Sequence, residues 1–415
     1  MTSPASVSQE SQEWEIPTVP VWSYWLLFGG LLAVGIGRSV TLAVLAPIGR
    51  ELGLLEIQIG AISTCTAIMF FFGGPFWGRR SEKMGRRPVM VIGFLGYGAT
   101  TIAFAQVVEW GLTGTVTLLL IYPLMILTRV AFAALSSGVF PAAQAFVTTT
   151  TKVEDRTSGI ALNSAAFGLG SILGPALGGI LVYISLLAPL YVAALLALTC
   201  ALLIWWLLPE PPRRPMPKGG KPLRFFDPRI RPQLLVGFCA AYTMATVHQV
   251  GGFYFQDILG TTAAQTAQRI GMALAAMAIV SMGIQFLIIR PFKLRPKTLL
   301  RWGGPLTCAG GAVLLFAGSL WALILGMVLA GMGLGMTMPG NAAAASLSVA
   351  PHEQGSLAGI TMAANSLGFA LGPILGTALY QIAPQIPYMV SLLITLAVAI
   401  YVFILPIPDP RDYKA

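Results

Sequence analysis

The sequence predicts an all-α membrane protein in which twelve transmembrane helices form two pseudo-symmetric six-helix bundles. Composition, the recurrence of apolar stretches and the placement of basic residues carry that expectation. Of 415 residues, 56% are hydrophobic and 10% charged, with a mean hydropathy of +0.79; an ordinary soluble domain carries about 25% charged residues. Apolar runs of roughly 20 residues, enough to cross about 30 Å of hydrocarbon as a helix, recur from Val21 to Leu405. Lipid offers no partner to a free backbone N–H or C=O, so each run must be helical.

In the first half the spans fall at 22–46, 56–77, 88–109, 114–136, 158–183 and 187–208. In the second they fall at 233–255, 267–289, 300–318, 321–346, 356–380 and 386–406. Between the sets lies "LPEPPRRPMPKGGKPLRFFDPRIRPQ", rich in proline and cations, which reads as a cytoplasmic linker. The expected organisation is an N-terminal tail (1–20), a first bundle (21–208), the linker (209–232), a second bundle (233–406) and a C-terminal tail (407–415).

The net charge of +10 does not indicate nucleic acid, because the cations follow topology. If both termini are cytoplasmic, the inside segments collect the basic runs at 79–87, 152–156, 213–231, 290–301 and 411–414. The outside loops hold only Arg50 and Arg269. This asymmetry is the positive-inside rule. Residues 1–20 contain no Lys or Arg, so they lack the basic start of a cleaved signal peptide. The expected location is a bacterial-type cytoplasmic (inner) membrane, crossed many times, with both ends inside. Cys65, Cys200, Cys239 and Cys308 all fall within spans and act as small hydrophobes, neither a disulfide framework nor a metal site. His248 and His352 stand in separate segments without metal-ligand spacing, and no phosphate-binding G-x-x-x-x-G-K-[ST] loop is present. No enzyme activity, metal or cofactor is expected.

The halves repeat one another. Residues 140–179 lie over 338–377 without a gap, with about a dozen identities that include Pro141 with Pro339 and "LGP" with "LGP". Two six-helix repeats with a site between them at mid-membrane suit alternating access better than a pore.

Span 2 is followed by "GRRSEKMGRRPVM". Gly85 permits a positive backbone angle in a tight basic turn. The spacing of Gly78, Glu82, Lys83, Gly85, Arg86 and Arg87 resembles the major facilitator signature G-x-x-x-D-R/K-x-G-R/K-R/K, with Glu82 for the usual Asp. That resemblance implies an intracellular gate governing conformational switching. The matching loop of the second half, "RPFKLRPKTLLRWG", has Phe292 where an acid would stand, so its gate should be weaker. In span 5, Gly170, Gly174, Pro175, Gly178 and Gly179 strip one helix face for close packing and bend the helix. The pattern G-x-x-x-G-P-x-x-G-G resembles the drug:proton antiporter branch, which includes tetracycline and multidrug exporters, and this favours export. "RVAFAALSSGVFP" in span 4 is similar to the family's R-x-x-x-G pattern at Arg129, although Phe132 and Ala133 replace Gln and Gly.

These exporters usually carry an Asp in helix 1 nine residues before a proline. Here Arg38 stands nine residues before Pro47, so the sign is inverted. No carboxylate is expected near the membrane centre: Glu109 and Asp257 lie at outer helix ends and the other acids in tails or loops. Arg38 and Arg129 are costly there unless an anion completes them; bonding to carbonyls or snorkelling to the interface would also keep them. His248 is the only histidine in a span and can change charge near neutral pH, or can act as a neutral hydrogen-bonding group.

The sequence therefore reads as a proton-coupled exporter of a small organic compound, siderophore- or drug-like, with an anionic, carboxylate-bearing substrate as one reading and a structural role for Arg38 as the other. Arg38, Arg129, His248, Gln249 and Asn341 are the expected substrate contacts, and His248, Asp257 and Arg129 the proton-coupling candidates. The expected partners are the small-molecule substrate, protons and the lipid bilayer, with no nucleic acid, and the chain is expected to be a monomer. Three other readings stay open. One is a multidrug exporter in which Phe140, Tyr242 and Met244 bind lipophilic compounds and Arg38 is structural. Another is an importer or facilitator of organic anions. The third is a non-transporting membrane sensor, against which the intact first gate loop speaks.

Overall fold

The computed structural model describes residues 19–151, 153–211, 224–292, 294–350 and 353–404. Most of the expected N-terminal tail, the middle of the linker, the C-terminal tail and His352 lie outside the described residues. The first half consists of α1 (Trp22–Glu51), α2 (Glu56–Met84), α3 (Arg86–Leu112), α4 (Leu118–Ser136), α5 (Val139–Thr150), α6 (Val153–Leu181) and α7 (Ala188–Leu207). The second consists of α8 (Arg231–Leu259), α9 (Ala263–Gly283), a π-helical turn (Ile284–Ile289), α10 (Arg290–Phe292), α11 (Pro296–Leu315), α12 (Leu320–Leu347), α13 (Gln354–Tyr380) and α14 (Ile386–Ile404). Because α4 and α5 form one span, and α9 runs through the π turn into α10, these elements make the expected twelve spans.

The break in the fourth span follows from sequence. Gly138 precedes Pro141, and a side chain at 138 would meet Trp77 at 2.8 Å and Val89 at 2.9 Å. At this break the Trp77 indole of α2 donates to the Ala134 carbonyl at 2.6 Å. Among the described residues ten spans are long and apolar enough to cross a membrane by composition alone. α6 adds a shorter described apolar stretch, Ala165–Leu181, and α11 carries Lys297 and Arg301 near its start. The outward faces of the bundle are apolar, with Leu119, Trp206, Leu287, Phe316 and Ile404 all exposed. That surface is the one a hydrocarbon solvent calls for. The chain is a multi-pass membrane protein.

Within the first half α1 packs on α6, and α3 on α4 and α7; within the second α8 packs on α13, and α11 on α12. The halves meet through α2 with α13, α6 with α9, and α1 with α8 and α9. These contacts gather toward one end, that of the α1–α2 and α8–α9 loops. There Thr64 donates to the Ala370 carbonyl at 2.7 Å, Gly252 lies against Ala46, and Gly271 lies against the Pro175 carbonyl. Among the described residues α5, α11, α12 and α14 pack chiefly within their own half. The halves are thus clasped at the loop end and part toward the end that holds the linker.

Candidate functional site

A cavity of about 110 Å³ lies between the halves. Its walls come from α1 (Arg38, Thr41, Leu42, Leu45), α2 (Ile62, Ser63, Thr66, Ala67, Phe70), α4 (Arg129, Phe132), α8 (Ala245, His248, Gln249) and α13 (Phe369, Pro373). It therefore brings together Arg38, Arg129, His248 and Gln249, four of the five expected substrate contacts.

Small residues place Arg38. Gly35 and Gly37 precede it on α1, and a side chain at the first would collide with the Phe167 carbonyl of α6 and at the second with the Tyr97 hydroxyl of α3. Both helices can therefore close on α1 at this level. Arg38 lies deep in the molecule yet its side chain is exposed, because it opens into the cavity. Its guanidinium carbon lies 5.9 Å from the ring of Phe167 and 5.6 Å from that of Phe369, one from each half. Among the described residues it makes no hydrogen bond or ion pair. Arg129 is buried, 4.4 Å from the Phe132 ring and 5.2 Å from the Phe104 ring, and is likewise without a hydrogen-bonding partner among the described residues. Ring faces attract such cations, but they do not neutralise them. An arginine keeps its charge throughout the accessible pH range.

Tyr97 completes the group. Its ring packs 4.8 Å from that of Phe132, and its hydroxyl lies against Gly37, next to Arg38 on α1. His248 on the opposite wall feels the charge of Arg38. Beside it, Gln249 accepts a 2.6 Å hydrogen bond from Ser63, joining the halves across the cavity. Among the described residues no carboxylate lines the cavity. Glu154 and Asp155, whose side chains lie outside the described set, are at least twelve residues, about 18 Å of helix, from Phe167.

Two expected site residues stand elsewhere. The Asn341 amide donates to the Gln233 carbonyl at 2.8 Å, and Gln233 precedes His248 on α8 by fifteen residues, about 22 Å. Two residues past Pro339, Asn341 has already run below the cavity. Asp257 sits at the loop end, where Arg50 binds it at 2.5 and 2.9 Å and Tyr380 donates to it. Arg50 also pairs with Glu56 at 3.1 Å and lies over the Phe253 ring. Asp257 is thus part of an ionic latch between the halves, remote from the cavity. Phe140, Tyr242 and Met244 do not line the cavity either.

The turn after α2 is fixed by a residue outside the motif. Gly85 adopts φ +106°, and the Glu210 carboxylate beyond α7 accepts from the backbone N–H groups of Arg86 (2.6 Å) and Arg87 (2.8 Å), capping α3. A side chain at Gly85 would meet that carboxylate at 2.7 Å. Arg86 also bonds Ser81 at 2.5 Å and feels the charge of Glu82, Arg87 lies over Trp205, and Lys83 is exposed. Gly78 faces open space. In the second half, where Phe292 is exposed, Arg229 ties Asp227 to Glu353, each at 2.9 Å. The glycine motif of α6 has two faces. A side chain at Gly170 or Gly174 would strike the backbone of α1, whereas Pro175 and Gly179 meet Gly271 and Gln268 of α9 in the other half.

Two six-helix halves clasped at one end around a charged central cavity define a secondary transporter. The sequence matches the Major Facilitator Superfamily over residues 27–314 and 293–415, and the chain belongs to that superfamily of transporters. It is 30% identical over 368 residues to the tetracycline resistance protein, class C, of Escherichia coli, covering 84% of this chain and 86% of that one. It is 27% identical over 382 residues to multidrug resistance protein 1 of Bacillus subtilis (strain 168), covering 90% and 94%. Among solved structures a point variant of the nucleoside transporter NupG aligns with a TM-score of 0.74 at 13% identity, covering 92% and 99%.

Proposed function

We propose that this chain exports a small, drug-like organic compound bearing an anionic group by alternating access, with Arg38 and Arg129 receiving that group. One observation carries the reading: two permanent cations share one cavity between the halves, and among the described residues no carboxylate faces them. Guanidinium forks suit carboxylate, sulfonate or phosphate oxygens, while Phe70, Phe132 and Phe369 offer the apolar surface an organic body needs. The names of the tetracycline and multidrug resistance relatives support efflux and a drug-like cargo. The units that rock are residues 21–208 and 233–406, joined by the linker 209–232. The gate loop at Gly78–Arg87 and the latch of Arg50 with Asp257 bias the two ends in turn. The basic segments support cytoplasmic termini in a bacterial-type inner membrane, and the carrier is proposed to work as a monomer. Of the expected proton-coupling groups, Arg129 and His248 line the cavity, and of these the imidazole of His248 is the one that can exchange a proton.

Inverted membrane vesicles preloaded with unlabelled 1-naphthalenesulfonate and energised by respiration test this. Vesicles with the wild-type protein should take up radiolabelled 1-naphthalenesulfonate and those with Arg38→Gln should not. Equal accumulation of a lipophilic cation by both forms, with no sulfonate uptake, would replace this reading with the multidrug one.

A further inference from the structure

Resting on the anion reading above, we infer that this carrier is an obligatory anion exchanger: its cavity returns across the membrane only with an anion aboard, so outward movement of one anion requires inward movement of another. The charges lining the cavity carry the argument. Arg38 comes from α1 and Arg129 from α4, both open into the same cavity, and neither has a hydrogen bond or ion pair among the described residues. Among the described residues the other charged or titratable groups near them are His248, on the wall, and Tyr97, packed behind. In the conformation seen here the halves part at the linker end, and water entering from that side can screen the pair. To change sides, that end must close and the loop-end clasp must open, so the cavity passes through a state cut off from both solutions.

Two uncompensated cations oppose that passage, because charge removed from water is costly unless it is paired. An anion on the arginines removes the penalty. A proton does not, since on His248 it adds a third positive charge to the same space. Protonation of His248 and occupancy by an anion therefore favour each other, and a proton cannot take the departing anion's place. Phe369, against which Arg38 lies at 5.6 Å, belongs to the half that must move away from it when the clasp opens. The aromatic contact on that side is then lost, and the need for a bound anion grows.

The test uses the full-length protein in liposomes loaded with radiolabelled 1-naphthalenesulfonate, which is anionic at every working pH and does not leak as a neutral acid. The membrane potential is clamped. Efflux is followed with and without unlabelled 1-naphthalenesulfonate outside, in a medium of bulky, impermeant ions. The expected result is efflux faster by about tenfold or more when the outside anion is present. Arg38→Lys, which keeps the charge, should retain that stimulation, and Arg38→Gln should reduce it. Equal efflux with and without the outside anion would overturn the exchange inference while leaving anion transport standing. No protein-dependent sulfonate flux at all would remove the anion reading, and this inference with it.

Discussion

Substituting alanine for Gly170 should loosen the first half more than its one added methyl suggests. The new Cβ would overlap the Leu32 carbonyl and lie 2.9 Å from the Ile36 nitrogen and 3.0 Å from the Gly35 Cα. Every atom it meets is backbone of α1, so no rotamer change relieves the clash and the two helices must separate. Overpacking of this kind costs about 1–3 kcal/mol. Gly178, in the same motif and on the same helix, is the internal control: its added Cβ would sit 3.7 Å from Val40, an ordinary contact. Thermal unfolding of the two purified variants in one detergent gives the comparison. Gly170→Ala should lower the Tm by several degrees while Gly178→Ala leaves it within about one degree. Equal melting of both variants would refute the packing account of this motif.

Other consequences concern the gate, the latch and pH. Gly85→Ala forces a side chain into a left-handed backbone angle against Glu210, so it should lower both Tm and transport, with a cost of about 1–3 kcal/mol; an unchanged melting curve would show that the turn relaxes freely. Asp257→Asn removes the charge that Arg50 holds between the halves. Because that pair is partly exposed, it should shift the closed-to-open balance of the loop end by a few-fold at most, read as a broadened spin-label distance across that end. The hydrogen bonds and charge of Arg229 hold the Asp227 carboxyl below its ordinary value of 3.8. Its contribution is therefore present above about pH 4 and is lost as pH falls through the lowered value. The melting temperatures of the wild type and Asp227→Asn should accordingly converge in acid and separate near neutrality.

Much of the architecture was legible because lipid makes hydropathy decisive. Twelve apolar runs gave twelve spans, and Gly138 with Pro141 marks the break in the fourth. The cavity was legible in part: Arg38, Arg129, His248 and Gln249 are conspicuous polar residues in apolar helices, and all four line it. What escaped depends on partners distant in sequence. Tyr97 reads as one aromatic among many until α3 closes on Gly37. Phe167 and Phe369 bracket Arg38 from different halves, a pairing no local pattern encodes. Ser63 gains its role only through Gln249, 186 positions away. Glu210 lies in a proline-rich stretch read as linker, yet its carboxylate caps α3. The repeat that aligns Pro141 with Pro339 fixes the helix register of Asn341 but not its depth relative to the cavity. The latch role of Asp257 depends on Arg50, 207 residues away on α1, and no local pattern carries it.

The measurement that bears most directly on the central claim is calorimetric binding of three matched naphthalene compounds to the purified protein: the sulfonate, the neutral methanol derivative and the methylammonium derivative. The two unpaired guanidiniums predict that the sulfonate binds, that the neutral compound binds at least tenfold more weakly, and that the ammonium compound gives no heat. Arg38→Gln should bring the sulfonate down to the neutral compound's affinity while the protein stays folded. Equal binding of all three, or tighter binding of the ammonium compound, would contradict the account and make the arginines scaffolding.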